Sequence, residues 1–423
     1  MAFRFEWNPF ADQPHNVAPR KERLRHHIRH GGTYFSLLAA NLCQMRPVLA
    51  LYRRYWRRMY QQEVKLGDPF GVSVSPEEGR EEEILTLLRE MNAQKALLRI
   101  PSWERENLDF YERFAKGLFS QGVKLTAALL QNREDVTDPQ RWTSFLEEVF
   151  SRFNQVVDFF EIGHAWNRTK WGVWDYQEYL SLARPASVMA EKYQTKTVGP
   201  AVIDFEFHLY PPVLEKVSFD RISSLLYVDR MGAPENKQYG WNTSRKLALL
   251  KAIVDVVTHT NQRIWITEVN WPLKGTGKYS PASGKPNVSE EEQADFLVRY
   301  YILCLASGFV ERIYWWQLVA PGYGLVDSRE RPWRKRPSYQ ALKTLIVLLQ
   351  ERTFSGRVPH PEAELFSFTT GEKDLVVCWT TGPTLQHRFS REISRVLSRN
   401  GQELTKHENS VQIDGSPKYV FFK

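Results

Sequence analysis

The sequence predicts a (β/α)8 barrel, preceded by a basic N-terminal extension and followed by a small antiparallel β domain. From Asp68 onward, short apolar segments alternate with longer amphipathic ones, and eight such units fit a barrel of about 250 residues with additions. After residue 352 the pattern changes to short alternating segments separated by the turns GEKD, TGP and DGSP, which is typical of antiparallel strands. The domain boundaries we expect are 1–67, 68–351 and 352–423.

Eight apolar segments are the predicted barrel strands. The first six are nearly continuous apolar runs, as expected where helices cover the outside of a parallel sheet. The segments are FGVSVS at 70, KALLRIP at 95, KLTAALL at 124, VVDFFEIG at 156, KTVGPAVIDFEF at 196, SSLLYVD at 223, RIWITEVNW at 263 and RIYWWQLV at 312.

The intervening helices carry start and stop signals. Ser289 and Glu292 have the spacing of a capping box, and Gly308 is placed to end the same helix. Between Gly79 and Gln94, apolar residues at 84, 85, 87, 88 and 91 form one helical face, and acidic residues lie in the first turn. A last helix, SYQALKTLIVLLQE, completes the barrel.

The net charge of +8 is unevenly distributed, since residues 20 to 58 surround the apolar stretch YFSLLAANLC with Arg and His. A basic amphipathic segment can lie on an anionic membrane, so peripheral contact through residues 20–60 is one interpretation. The other is a solvated helix that packs on the barrel through its Tyr, Trp and Leu side chains. We expect no nucleic-acid partner, because no binding motif accompanies the charge.

Other classes of protein are disfavoured. Cys43, Cys304 and Cys378 are too few and too scattered for a disulfide framework or a zinc site. The N-terminus lacks the apolar region of a secretory signal, and no apolar run approaches the ~18 residues that span a bilayer. The sequence contains no Gly-rich phosphate loop and no Ser elbow. We therefore expect a cytoplasmic protein without metal or cofactor.

The ends of the predicted strands point to carbohydrate chemistry. In such barrels these ends form the active site. Carboxylates there can stabilise a cationic transition state, and indoles can pack on sugar rings. The residues at these ends are Arg99, Trp103, Gln131, Asn132, His164, Trp166, Asn167, Asp204, Glu206, His208, Tyr227, Asp229, Glu268, Asn270, Trp271, Trp315, Trp316 and Gln317.

The segments WITEVNWP, YWWQLVAPGYGLVD and RPSYQALK resemble the last third of clan A glycoside hydrolases, and are most similar to the β-xylosidase and α-L-iduronidase-like group. The resemblance spans residues 68 to about 350 in strand order. It implies that Glu268 is the nucleophile that attacks the anomeric carbon, and that Arg99 keeps it ionised. It further implies that Tyr227 orients Glu268 and that Trp316 lies under the sugar. Asn167, Glu206, Asp229 and Trp271 are further candidates for binding the substrate.

The fourth strand departs from the family pattern. The segment EIGHAWNR aligns with Glu-Ile-Gly-Asn-Glu-x-Asn, so that His164 replaces the Asn and Ala165 replaces the acid/base Glu. One interpretation is a glycosidase or transglycosidase that uses Glu268, with a proton from His164 or Glu206, or with a leaving group that needs none. His164 could still hold a sugar hydroxyl, as the Asn does. The alternative is a catalytically inactive glycan-binding protein. We favour the enzyme, because Glu268 and Arg99 are both present.

Overall fold

Eight parallel strands close into a barrel, which confirms the predicted fold class. The computed structural model describes residues 4–228, 232–280, 287–371, 373–405 and 408–423. Each strand pairs with its neighbours in chain order, and the eighth pairs with the first to close the ring. The strands are β1 (Phe70–Val74), β2 (Lys95–Pro101), β3 (Lys124–Leu130), β4 (Phe159–Ile162), β5 (Lys196–Ile203), β6 (Arg221–Leu225), β7 (Ile264–Val269) and β8 (Val310–Trp315).

All eight strands lie where the apolar segments predict them, although most end earlier than predicted and three begin more than one residue away from the predicted start. The predicted fourth strand begins at Val156, but the backbone amides of Val156 and Val157 bond to Phe153 O at 3.0 and 2.9 Å and finish the preceding helix. Strand β4 therefore begins only at Phe159. Strands β6 and β8 begin two residues earlier than predicted, at Arg221 and Val310.

Helices cover the outside of the barrel and bury its apolar outer face. The capping box predicted for Ser289 is present, since its hydroxyl accepts a bond from Glu292 N at 3.1 Å and the Glu292 carboxylate bonds back to Ser289 N. The helices are α1 (Arg20–Arg29), α2 (Gly31–Arg58), α3 (Glu81–Met91), α4 (Leu108–Ser120), α5 (Arg133–Thr137), α6 (Pro139–Phe153), α7 (Tyr176–Lys192), α8 (Tyr210–Leu214), α9 (Thr243–Thr258), α10 (Glu290–Ala306) and α11 (Pro337–Leu349).

Aromatic side chains fill the barrel interior beneath the site. Trp265 and Tyr314 are fully buried there, and the Tyr314 hydroxyl lies 2.8 Å from Thr126 Oγ1. Gly71 makes room for the Tyr314 ring, because a Cβ on Gly71 would lie 2.5 Å from a ring carbon. The packed interior gives the strand ends a rigid base.

The N-terminal extension packs against the barrel and also joins the C-terminal sheet. Helix α2 lies along α9, and Tyr55 donates a hydrogen bond to Asp255. The chain then pairs Val64–Lys65 with the first strand of the C-terminal domain. Of the described helices, none is long and apolar enough to cross a membrane.

The C-terminal domain is an antiparallel sheet with a separate two-stranded ribbon. Its strands are β9 (Thr353–Arg357), β10 (Ala363–Thr369), β11 (Asp374–Thr380), β12 (Leu385–Arg388), β13 (Ile393–Ser398), β14 (Ser410–Ile413) and β15 (Lys418–Phe422). The sheet order is β13-β15-β11-β10-β9 followed by Val64–Lys65, and β12 pairs with β14. Glu235 of the barrel accepts bonds from Arg299 and from Trp379 Nε1 (2.8 Å), which ties the two domains together.

Candidate active site

Glu268, near the end of β7, is a buried carboxylate with three partners. Arg99 Nη2 donates to its Oε2, and the Tyr227 hydroxyl donates to its Oε1 at 2.5 Å. His164 Nε2 lies 3.1 Å from Oε2. Burial alone would raise the pKa of Glu268, but the charge of Arg99 and the bonds from His164 and Tyr227 lower it from 4.5 to about 2. Glu268 is therefore ionised at neutral pH.

Trp316, which follows β8, holds Arg99 in place. The guanidinium carbon of Arg99 lies 3.1 Å from the centroid of the Trp316 ring, and Trp316 is itself stacked on Tyr323 at 6.3 Å. A cation against an indole face is stabilised by the ring quadrupole. Stacking on Trp316 thus fixes the guanidinium, and its terminal nitrogens can bind carboxylates.

His164 is a neutral imidazole in this setting. Burial and the nearby charge of Arg99 lower the pKa of His164 to about 4. Its Nε2 lies 3.0 Å from Arg99 Nη2, and its ring meets Trp171 edge-on at 4.7 Å. Its Nδ1 is buried and has no hydrogen-bond partner among the described residues. A neutral His can hydrogen-bond a sugar hydroxyl, but it is a poor proton donor at pH 7.

A cavity of about 170 Å³ lies above Glu268. It is smaller than the roughly 300–1,000 Å³ of typical ligand pockets, so it suits one ring-sized group better than an extended chain. Six of the predicted strand-end residues line it together with Ala165, and these are Arg99, His164, Tyr227, Glu268, Asn270 and Trp316.

Three other predicted residues lie outside the lining of this cavity. Asn167 Nδ2 bonds to Ile203 O and to Glu206 Oε2, both at 2.9 Å. Glu206 also accepts a bond from Arg168. Trp271 is buried, and its indole donates to Gly232 O at 2.9 Å. Asp229, the remaining candidate, falls outside the described residues.

The barrel mouth is crossed by residues 4–18, which we call the N-terminal strap. It forms a hairpin in which Trp7–Asn8 pairs with Gln13–Pro14. The Trp7 ring packs against Trp103 (5.1 Å) after β2 and Trp171 (6.0 Å) after β4. Further contacts join Phe10 to Tyr279 at 5.7 Å and Gln13 Oε1 to Lys170 Nζ at 2.6 Å. The strap therefore bridges loops from several strands.

Asp12 of the strap lines the cavity beside Glu268 and Ala165. Its Oδ2 lies 3.6 Å from Arg99 Nη1, and its backbone oxygen accepts a bond from the same nitrogen at 3.5 Å. A quarter of the side chain is exposed, but the Oδ2 atom is buried and makes no hydrogen bond to a described residue. Burial, which outweighs the charge of Arg99, raises the pKa of Asp12 from 3.8 to about 6. Neither periodicity nor residue spacing points to Asp12 in the sequence.

A second polar cluster anchors α1 to the barrel. Asp175 Oδ2 lies 2.8 Å from His26 Nε2 and 3.2 Å from His30 Nδ1, and the two imidazoles stack at 4.0 Å. The other Asp175 oxygen caps α7 by accepting from Gln177 N at 2.8 Å. The potential ligand atoms of His26, His30 and Asp175 lie within 4.8 Å of one another. Spacing along the chain does not reveal this group, because Asp175 is far from the two His residues.

The fold is similar to that of solved glycoside hydrolases. No protein-family model and no curated protein matches the sequence. A family 39 glycoside hydrolase from Bacteroides cellulosilyticus superposes with a TM-score of 0.66 at 16% identity, covering 84% of this chain and 81% of that one. A family 30 endoxylanase from Clostridium papyrosolvens gives 0.58 at 14% identity, with 86% and 98% covered. A family 51 α-L-arabinofuranosidase from Bifidobacterium longum gives 0.57 at 11% identity, with 85% and 97% covered.

These neighbours are clan A glycoside hydrolases, so the expected resemblance is confirmed at the level of the barrel. At such low identity the likeness concerns the fold alone.

Proposed function

We propose that this protein is a retaining glycosidase or transglycosidase in which Glu268 is the nucleophile. The observation that carries the proposal is the position of the Glu268 carboxylate at the cavity, where it is held by Arg99 and Tyr227. A buried carboxylate with a pKa of about 2 is unprotonated at every physiological pH and can attack an electrophilic carbon.

Each neighbour of Glu268 has a role in this mechanism. Arg99, fixed on Trp316, and Tyr227 aim one carboxylate oxygen at the anomeric carbon and stabilise its charge before attack. As the covalent glycosyl-enzyme forms, the negative charge on Glu268 disappears. His164, which lines the cavity, binds a sugar hydroxyl in this mechanism. Water or another sugar hydroxyl then displaces Glu268, which retains the anomeric configuration.

Covalent trapping tests this proposal. We expect a 2-deoxy-2-fluoro glycoside with a dinitrophenolate leaving group to add one sugar mass to the protein and to label Glu268. The leaving group needs no proton, and the fluorine slows release of the sugar. Intact-protein and peptide mass spectrometry over a panel of pentose, hexose and uronic acid reagents provides the measurement.

Glu268→Gln is the control and should take up no label with any reagent. A panel in which no sugar labels the native protein, although the same reagents label a known glycosidase of each specificity, would contradict the proposal.

One observation favours a second candidate, a glycan-binding protein without catalysis. The sequence resemblance aligns Ala165 with the acid/base carboxylate, and an alanine cannot transfer a proton. Under this alternative, a sugar binds the cavity with a measurable dissociation constant and Glu268 stays unlabelled. Calorimetry with the same sugars, combined with the labelling of Glu268, therefore separates the two candidates.

We further propose that α1 and α2 bind an anionic membrane surface. Large apolar side chains at heptad spacing form an exposed ridge along these helices, each with between 40 and 74% of its surface exposed. The opposite face of α2 packs on the barrel, so the ridge points away from it. The ridge consists of Ile28, Phe35, Leu38, Leu42, Met45 and Leu49.

The positive charge around the exposed ridge indicates which kind of partner surface it binds. Residues 23–62 contain eight arginines and no acidic residue, a charge as large as the +8 of the whole chain. A second copy would bring two strongly positive surfaces together. An anionic lipid surface instead attracts these arginines, and each basic residue near such a surface contributes about 1 kcal/mol to binding. The cytoplasmic leaflet, which carries anionic lipids, is the surface we propose.

We expect the protein to co-sediment with vesicles containing 30% phosphatidylglycerol but not with vesicles of pure phosphatidylcholine. Salt at roughly 0.5 M should release the bound protein, because it screens the arginines. Phe35→Ser with Leu42→Ser should reduce the bound fraction several-fold. The matched control is Phe119→Ser with Val188→Ser, two side chains exposed elsewhere on the surface. Binding that ignores lipid charge, or self-association of the free protein through the ridge, would refute the proposal.

A further inference from the structure

We propose that Asp12, carried by the N-terminal strap, is the acid/base of this site and replaces the carboxylate missing at Ala165. The proposal rests on Glu268 being the nucleophile. It assigns a catalytic residue to a part of the chain that lies outside the barrel.

One guanidinium and one cavity bring Asp12 and Glu268 together. Arg99 contacts Glu268 through Nη2 and Asp12 through Nη1, so the two carboxylates lie on either side of one guanidinium. Retaining pairs are separated by about 5–5.5 Å, and contact with neighbouring nitrogens of one guanidinium keeps Asp12 and Glu268 close to each other. Asp12, Glu268 and Ala165 all line the same cavity.

The strap holds Asp12 firmly enough to serve this role. Contacts of Trp7 and Gln13 with the loops after β2 and β4 fix the hairpin on both sides of Asp12. Asp12 itself has a left-handed backbone (φ 49°), which turns the chain at the cavity. Its Oδ2 has a charge contact with Arg99 but no hydrogen bond to a described residue, and a quarter of the side chain is exposed where it lines the cavity. The Asp12 side chain can therefore meet a glycosidic oxygen there.

The surrounding charges suit a group that must both give and take a proton. Asp12 faces Arg99 from β2, Glu104 after β2, Glu268 on β7 and Tyr323 after β8. Burial raises the pKa of Asp12 to about 6, and the charge of Glu268 is among the contributions that raise it. When Glu268 becomes an uncharged glycosyl ester, that contribution is lost and the pKa of Asp12 falls. Asp12 is thereby an acid in the first step and a base in the second.

Both steps balance in protons and electrons. First, a Glu268 oxygen bonds to the anomeric carbon and the bond to the leaving oxygen breaks, with that oxygen taking the proton of Asp12. Then Asp12 takes a proton from water or an acceptor hydroxyl, whose oxygen bonds to the anomeric carbon. The bond to Glu268 breaks with its electron pair returning to Glu268, so both carboxyls end as they began.

The other candidate donors are poorly placed. His164 is neutral, and its Nε2 is directed at Arg99 and Glu268. Glu206 is held by Asn167 and Arg168 outside the cavity lining. Glu104 accepts a bond from the Tyr111 hydroxyl at 2.6 Å, and it is not among the residues lining the cavity.

Asp12→Asn tests the assignment with two substrates of the sugar that labels Glu268. With an alkyl glycoside, a poor leaving group, we expect kcat/KM to fall by about 10²–10⁴-fold, the contribution typical of a positioned acid. With the dinitrophenyl glycoside, glycosylation should change only a few-fold. Azide should then speed turnover and give a glycosyl azide of retained configuration, because it needs no base.

The pH profile provides a second measurement. In the native enzyme, kcat/KM for the alkyl glycoside should fall as the pH rises above about 6, since Asp12 must be protonated to act as the acid. Asp12→Asn should lack this decline.

Glu6→Gln is the matched control, because it removes a carboxylate from the same strap at a site outside the cavity lining, where the Glu6 side chain lies 3.8 Å from His15 Nε2. An equal loss in both variants would mean that the strap is merely structural. The assignment would also be overturned if the Asp12→Asn defect were the same for both leaving groups, or if replacing Asp12 raised the activity. Failure of Glu268 to label in the native protein would instead defeat the proposed function itself.

Discussion

Glu268→Ala should lower turnover of the best substrate by roughly 10⁴-fold or more, the scale of loss when a covalent nucleophile is removed. It should also destabilise the fold. Arg99 is buried against Trp316 and would lose a charged partner, and breaking a buried pair costs about 3–5 kcal/mol. Steady-state kinetics and thermal melting measure the two effects.

Small anions should partly reverse both losses. The variant leaves a space beside the Arg99 guanidinium that formate or azide can occupy, so either anion should raise the melting temperature. Azide should also attack the anomeric carbon from the side of the missing nucleophile in one displacement, and the product should be inverted. Azide rescue of Asp12→Asn should give the retained product, so product stereochemistry distinguishes the two carboxylates.

Glu235→Ala is the control for stability, because it breaks an ion pair with Arg299 that lies away from the cavity. It should lower the melting temperature without anion rescue and leave turnover nearly unchanged. A retained azide product from Glu268→Ala, or substantial residual turnover, would show that Glu268 is not the nucleophile.

The nucleophile side of the site could be predicted from sequence because barrel topology constrains it. Arg99 and Glu268 lie on strands whose carboxyl ends must meet at one rim, and Trp316 directly follows another such strand. Once the strands are identified, their side chains are expected to converge. The structure brings them into contact.

Loop residues were less predictable, because the direction of a side chain is no longer determined by the strand a few residues after the strand ends. Glu206 follows the end of β5 by three residues and turns toward Arg168. Trp271 lies two residues after the end of β7, and its buried ring is stacked on Trp315. Local periodicity carries no information on such side chains.

Asp12 could not be predicted, since its location depends on how an extension outside the barrel folds back. It meets Arg99 across 87 positions of sequence. The only local signal is a group of aromatic residues around it, including Trp7 and Phe10, whose partners Trp103 and Tyr279 lie on separate loops. Packing of the strap's aromatic side chains on these loops determines the position of the Asp12 carboxylate, and such packing leaves no repeating pattern in the sequence.

Ala165→Glu should restore activity to Asp12→Asn if a carboxyl in this cavity is what the acid step requires. Ala165 is buried, lines the cavity and already carries a Cβ at φ 42°, so a longer side chain adds no new backbone strain. The new carboxyl would lie near ionised Glu268, which favours its protonated form and makes it an acid.

In the double variant we expect the alkyl glycoside activity to recover by about 10²-fold or more, within the range of a positioned acid, and the azide acceleration to disappear. Asp12→Asn with Ala165→Gln is the matched control, since it fills the same volume without a transferable proton. Kinetics on the alkyl and dinitrophenyl glycosides measure the recovery. Equal recovery by Gln and Glu would show that Ala165→Glu acts by filling space, and that proton transfer at this cavity does not limit the reaction.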